Sequence, residues 1–110
     1  MIVLKENSDF QSVLKNGRWY NSDVLTMYVC KKEQEINRVG VAVGKKAGKS
    51  VIRNHLKRLI REAYRVNEMN ITSGYDIVIV WKSSAKVESV DFYIVEKSLL
   101  KCLNKANLMK

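Results

Sequence analysis

The chain has 110 residues, 46% of them hydrophobic, and its 20 Lys and Arg against 11 Asp and Glu give a formal net charge of +9. That is one domain's length with apolar material for one modest core, which excludes a multidomain enzyme and a disordered chain. Apolar runs such as Ile77 to Trp81 fall far short of the roughly 18 to 20 residues that cross a bilayer, and the first residues lack the pattern of a cleaved secretory signal, so no membrane span or export is expected.

With no proline and five glycines, glycine must supply the punctuation. Asn7, Ser8 and Asp9 offer N-caps to a first helix of about two turns, whose Phe10, Val13 and Leu14 share one face before Gly17 ends it. Trp19 and Tyr20 read either as an exposed stacking pair or as packing on an edge strand. β-Branched and aromatic residues predict strands over Val24–Cys30 and Val39–Val43, joined through the charged stretch Lys31–Glu35 as an antiparallel pair.

After Gly44 the period changes. Ile52, Leu56, Leu59, Ile60, Ala63 and Val66 fall on one side of a helix, and Arg53, Asn54, Lys57, Arg58, Arg61 and Arg65 on the other. Past Gly74, Tyr75–Trp81 reads as a largely buried strand, with Trp81 closing its buried face. Ser89 is placed to cap a closing helix whose apolar set is Phe92, Val95, Leu99, Cys102, Leu103 and Ala106. This order predicts an α+β fold, a single-domain two-layer sandwich over residues 1–110 in which three helices cover a small mixed sheet.

The charge is focused. From Arg38 to Arg65 there are nine basic residues (Arg38, Lys45, Lys46, Lys49, Arg53, Lys57, Arg58, Arg61 and Arg65) against the single acid Glu62, a local balance of +8 out of +9. A solvated helix face usually mixes both signs for i to i+4 pairing, whereas Arg53, Lys57, Arg61 and Arg65 repeat every four residues with their repulsion uncompensated. A polyphosphate partner relieves that repulsion, since each neutralised phosphate releases condensed counterions. A nucleic acid is therefore the expected partner.

The turn Gly44–Ser50 invites comparison with a mononucleotide loop and fails it. A P-loop needs four residues between its first glycine and Gly-Lys-Ser, and here only Lys45, Lys46 and Ala47 separate Gly44 from Gly48. Two glycines, three lysines and a helix N-terminus suit a loop that tracks a phosphate backbone instead.

The string from Val41 to Tyr64 closely resembles the signature of the bacterial ribonuclease P protein subunit. In that family a Lys-Lys-x-Gly-x-x-Val loop leads into a helix carrying Arg-Asn-Arg and then Lys-Arg-x-x-Arg. Lys45-Lys46, Gly48, Val51, Arg53-Asn54, Lys57-Arg58 and Arg61 match it here. Phe10 and Val13 before Gly17, Tyr28 in the first long strand and the strand ending at Trp81 extend the resemblance along nearly the whole chain.

The resemblance implies the protein component of an endoribonuclease whose RNA subunit performs catalysis, removing the 5′ leader of precursor tRNA in the bacterial cytoplasm. It implies two partners, the catalytic RNA and precursor tRNA, and no membrane or small-molecule substrate. Lys45, Lys46, Lys49, Arg53, Asn54, His55, Lys57, Arg58 and Arg61 become the RNA-facing set, and Phe10, Leu14 and Tyr28 the leader-cleft candidates. No catalytic residue, metal ligand or cofactor is assigned to the protein, and Mg2+ is expected on the partner RNA. The family also implies a β-α-β crossover of left hand, against the general preference for right-handed connections.

Two positions depart from the family pattern. His55 stands where the second Arg of Arg-Asn-Arg is usual, replacing a five-donor charged fork by a ring that can pack against the sheet edge or stack on a base. Leu14 stands where a second aromatic is frequent, and a leucine packs against a base without stacking as a ring does.

On spacing alone, Phe10 and Tyr28 read as core residues, because a short helix must bury something against the sheet; only the resemblance makes them base platforms. Cys30 and Cys102 read as small apolar fillers without zinc spacing, in keeping with a reduced, cytoplasmic setting. A protein-borne active site competes poorly: the sole histidine has basic neighbours, and the acids form no cluster suited to two-metal chemistry. A structural RNA binder of ribosomal type is the remaining alternative; it shares the basic helix but needs no leader cleft.

Overall fold

Period-2 patterning of the strands sorts the apolar residues into two layers. In a computed structural model describing residues 1–110, the strands are β1 (Ile2–Val3), β2 (Arg18–Asn21), β3 (Leu25–Lys31), β4 (Arg38–Ala42) and β5 (Tyr75–Trp81). The helices are α1 (Asn7–Asn16), α2 (Ser50–Asn67) and α3 (Phe92–Lys105). One face of the sheet presents Leu25, Met27 and Val29 of β3 with Ile77, Ile79 and Trp81 of β5 to the main core. There they meet Leu56, Ile60, Ala63 and Tyr64 of α2 and Val95, Leu99, Cys102 and Leu103 of α3. Each fully buried aliphatic of that set contributes about 1.5–3 kcal/mol. The alternate residues Tyr28, Cys30, Val78 and Val80 face the other way, in a smaller cluster with Phe10, Val13 and Leu14 of α1.

The strand order is β1-β4-β5-β3-β2. β4 and β5 are parallel, joined by the α2 crossover, while β3 runs antiparallel to both β5 and β2. The expected strands over Val24–Cys30 and Val39–Val43 exist, displaced by about a residue, but they do not pair, because β5 lies between them. The reason lies in β5 itself. Ile77, Val78 and Ile79 are all fully buried, and a strand that is apolar on both faces belongs at the centre of a sheet covered on both sides.

Other boundaries shift for local reasons. α1 runs for 10 residues rather than about two turns, and it starts from Glu6 with no side-chain cap, so Asn7, Ser8 and Asp9 form its first turn instead of capping it. β1 fixes that entry, with the Leu4 N–H donating to the Val39 carbonyl at 2.9 Å. α3 is capped by Asp91, whose Oδ1 accepts from the Ile94 N–H at 2.9 Å, and not by Ser89, which lies upstream with φ 65. Asp is as good an N-cap as Ser, and its charge adds a favourable interaction with the helix dipole. Val66, expected on the apolar side of α2, is 51% exposed; six residues after Ile60, it stands about 120° round the helix from it.

The buried hydroxyls and thiol are paired with one another, while the buried Trp81 indole N–H has no partner. The hydroxyls of Ser22 and Ser98 bond to each other, Ser98 Oγ accepts from the Val24 N–H at 3.1 Å, and the Cys102 thiol donates to Ser22 Oγ at 3.2 Å. Burial pushes the Cys102 thiol up, so it is a packing group and not a reactive one. Burial also raises the Tyr64 hydroxyl to about 12, opposed in part by a hydrogen bond from Asn37.

Candidate nucleic-acid interface

Between β4 and α2 the chain makes a 3₁₀ turn at Lys45–Ala47, and Gly48 follows at φ 138. Only glycine adopts that value without strain, so Gly48 lets the chain reverse into the helix. Lys49 then enters α2 in extended conformation, with no side-chain cap and no acid in the first turn. The N–H groups of Ile52 and Arg53 both donate to the Lys49 carbonyl at 3.0 Å, while the amides of Ser50 and Val51 stay free of backbone partners. Arg53 Nε bonds the Gly48 carbonyl at 3.2 Å and ties the loop to the helix. The result is a helix N-terminus with a positive dipole end, left without the carboxylate that usually balances it.

Lys45, Lys46, Lys49, Asn54, His55, Arg58 and Arg61 are exposed, and Arg53 and Lys57 are half-buried. None of these cations is in a salt bridge. Two other members of the basic segment behave differently. Arg38 points away, to Asp76 and Asp9 on the α1 side of the sheet. Arg65 is paired with Glu62 at 2.6 Å, so its repulsion is compensated, contrary to the expectation from the four-residue repeat. Seven unpaired cations remain on the loop and helix: Lys45, Lys46, Lys49, Arg53, Lys57, Arg58 and Arg61. Asn54, Arg58 and Arg61 share a shallow hollow of about 480 Å³ with Met1, Glu62 and Arg65.

A second hollow, of about 380 Å³, opens on the α1-facing side of the sheet. Tyr28, Thr26 and Val80 form its floor, and Gly44, Lys46 and Ala47 approach from the loop before α2. The segment after β5 supplies Lys82, Ser83 and Ser84, with the Lys82 ammonium donating to the Ser22 carbonyl at 3.1 Å. Thus Lys46 carries the basic surface to the edge of an aromatic floor. Phe10 and Leu14 belong to the same apolar cluster as Tyr28 but do not line this hollow. Phe10 lies on Gly40, where a Cβ would come within 2.8 Å of its ring.

Among known proteins, a family model for Ribonuclease P matches residues 2–107. The chain belongs to the ribonuclease P protein family. It is 42% identical over 106 residues to a ribonuclease P protein component of Clostridium botulinum, covering 96% of this chain and 94% of that one. It is 38% identical over 106 residues to the component of Clostridioides difficile, covering 96% and 91%. The structure of the RNase P protein of Staphylococcus aureus superposes with a TM-score of 0.87 at 31% identity, covering 100% of this chain and 99% of that one. The RNase P protein of Thermotoga maritima gives 0.84 at 32% identity, covering 96% and 97%. The enzyme to which this family contributes its protein component is an endoribonuclease, and the five-stranded mixed sheet with three helices is the family's α+β fold.

Within this ribonuclease P protein, His55 is exposed and does not pack on the sheet edge. It borders a small apolar groove lined by Val51, Ile52, Leu56, Val87 and Val90. Trp19 and Tyr20 part company: Tyr20 packs against the main core, whereas Trp19 is 60% exposed on β2. Sequence reasoning missed Thr26, Val80, Lys82, Ser83 and Ser84 as neighbours of Tyr28. Thr26 was recoverable from its i to i+2 spacing with Tyr28, but Val80 comes beside them only through the register that sets Thr26 opposite Val80. No helix is long and apolar enough to cross a membrane.

Proposed function

We propose that this chain binds the catalytic RNA of ribonuclease P through the loop Gly44–Ser50 and the exposed face of α2, and holds the 5′ leader of precursor tRNA over the sheet face around Tyr28. One observation carries the reading: seven unpaired cations are gathered on one loop and helix, and Lys46 leads from them into a hollow floored by an aromatic ring. Lys45, Lys46, Lys49, Arg53, Lys57, Arg58 and Arg61 meet phosphates, Asn54 adds hydrogen bonds and His55 meets the RNA as a stacking ring. Phe10 and Leu14 support the cleft and Tyr28 offers the base platform. The single domain of residues 1–110 is thus RNA-binding throughout its function, in the cytoplasm.

Leader removal is then carried out by the RNA subunit, with Mg2+ held by RNA phosphates. The side chains support that division, since His55 has no carboxylate partner and no group of three or more His, Cys, Asp or Glu converges. Reconstitution with the catalytic RNA at low magnesium tests the proposal. The protein is expected to restore precursor cleavage and to cleave nothing alone. Binding without restored cleavage would favour a structural RNA binder of ribosomal type; cleavage by RNA-free protein, abolished by one substitution, would make the protein itself the nuclease.

A further inference from the structure

Register places four residues in one row across the sheet. Gly40 of β4 lies opposite Val78 of β5, Val78 opposite Tyr28 of β3, and Tyr28 opposite Trp19 of β2. Directly opposed residues of adjacent strands point to the same face, with Cβ atoms roughly 4.5–5.5 Å apart. The row therefore runs from Phe10, seated on Gly40, across Val78 to Tyr28 and ends at Trp19 on the sheet edge. Tyr20, one residue on, points to the opposite face and packs against the main core, which fixes the direction of Trp19 independently.

Trp19 is 60% exposed, although it carries the largest apolar side chain of any residue type. Most of the ring stays open, because α1 packs through its own Phe10, Val13 and Leu14 onto Val78, Tyr28, Cys30 and Val80, further along the row. An indole left open beside a half-buried tyrosine, on a face whose rim carries Lys46, is the pattern of a sheet that stacks successive unpaired bases. We infer that Trp19 is a second base platform, which stacks a leader nucleotide next to the one held by Tyr28. The inference rests on the leader-cleft reading above and extends the cleft by one strand, about 4.8 Å, toward the edge of the sheet.

A second copy of the chain is the competing occupant, since β2 is an edge strand. It is the poorer one, because pairing two chains of net charge +9 works against their mutual repulsion, whereas a leader brings the opposite charge.

The test uses the reconstituted complex, with precursor tRNAs whose leaders are lengthened one nucleotide at a time, and with mature tRNA. Trp19→Ala should weaken binding of long-leader precursors by about five- to fiftyfold, leave mature tRNA unchanged, and spare the shortest leaders that Tyr28→Ala already impairs. Trp19→Phe should recover most of the loss. Trp81 is only 3% exposed, so indole fluorescence quenched on adding precursor, but not mature tRNA, should come from Trp19 and vanish in Trp19→Phe. If Trp19→Ala stays within twofold of the parent at every leader length while Tyr28→Ala shows its loss, Trp19 is not a platform and the cleft reading stands. If neither substitution discriminates precursor from mature tRNA, both readings fall. A free-protein dimer in sedimentation that Trp19→Ala dissolves would assign the indole to self-association and overturn the inference.

Discussion

Arg38 grips Asp76 with two parallel hydrogen bonds, Nη2 to Oδ2 at 2.6 Å and Nε to Oδ1 at 2.8 Å, directly across the parallel β4–β5 ladder. The Asp76 side chain is 1% exposed and its partner 32%. Burial alone would raise the Asp76 carboxyl, but the hydrogen bonds from Arg38 and Gln34 outweigh it and hold the group below its usual range. This bidentate pair binds the two parallel strands and withdraws Arg38 from the basic surface to which its position in the sequence would assign it.

Removing the arginine strands a buried carboxylate. Breaking such a pair costs about 3–5 kcal/mol, and because the guanidinium is about a third exposed, Arg38→Ala is expected near the lower end of that range. The pH dependence has a definite sign. A folded-state pKa below the unfolded value gives stability that is present at neutral pH and lost as pH falls through the folded pKa; in Arg38→Ala the lone carboxyl is pushed up, and protonation relieves it. Urea unfolding should therefore show a parent-to-variant gap that is widest near pH 7 and narrows as pH falls into and through the carboxylate range. A gap constant with pH would assign the loss to packing alone.

Salt should separate the free cations from the committed ones. If about four to six phosphates are contacted, log affinity for the catalytic RNA against log salt should slope at roughly −3 to −5. Arg58→Ala should flatten that slope by nearly one, whereas Arg65→Ala, which removes a cation already held by Glu62, should flatten it by less than half as much. Equal slopes for the parent and an Arg53→Ala, Arg58→Ala double variant would remove the basic face from the interface.

Gly40 leaves room for the Phe10 ring, and a Cβ there would stand 2.8 Å from two of its carbons. Gly40→Ala must displace the ring or part α1 from the sheet, an overpacking that costs about 1–3 kcal/mol. Precursor affinity should fall with it, since Phe10 and Tyr28 share one apolar cluster. Affinity for the catalytic RNA, proposed to meet α2 on the opposite side of the sheet, should not change. Melting curves and both affinities, measured on the same variant, check this; an equal loss for the two RNAs would mean that the surfaces are not independent.

Tyr28 is half-buried in the floor of the second hollow. Stacking on an aromatic is worth about 1–3 kcal/mol, so Tyr28→Ala should weaken precursor binding by about five- to a hundredfold with mature tRNA unaffected. Truncation of a pure core residue would instead lower the melting temperature and shift both tRNAs alike.

Much of this was legible in the chain. The change of period after Gly44 marks α2, the apolar run Tyr75–Trp81 marks β5 to the residue, and the concentration of charge between Arg38 and Arg65 marks the surface. Each is a property of one continuous segment, and segments state their own period and charge. Strand neighbours are not of that kind. That β5 separates β3 from β4, that Arg38 meets Asp76 and that Trp19 stands beside Tyr28 depend on register between distant segments, which is set when the whole core closes. Local chemistry likewise admits two caps before α3, and only the folded chain shows Asp91, not Ser89, accepting from the Ile94 N–H. The sequence by itself determined which residues are basic, apolar or aromatic and along which helix or strand they repeat. The tertiary structure alone decided which cations stay unpaired and which aromatic rings share a face, because those depend on what lies across the sheet.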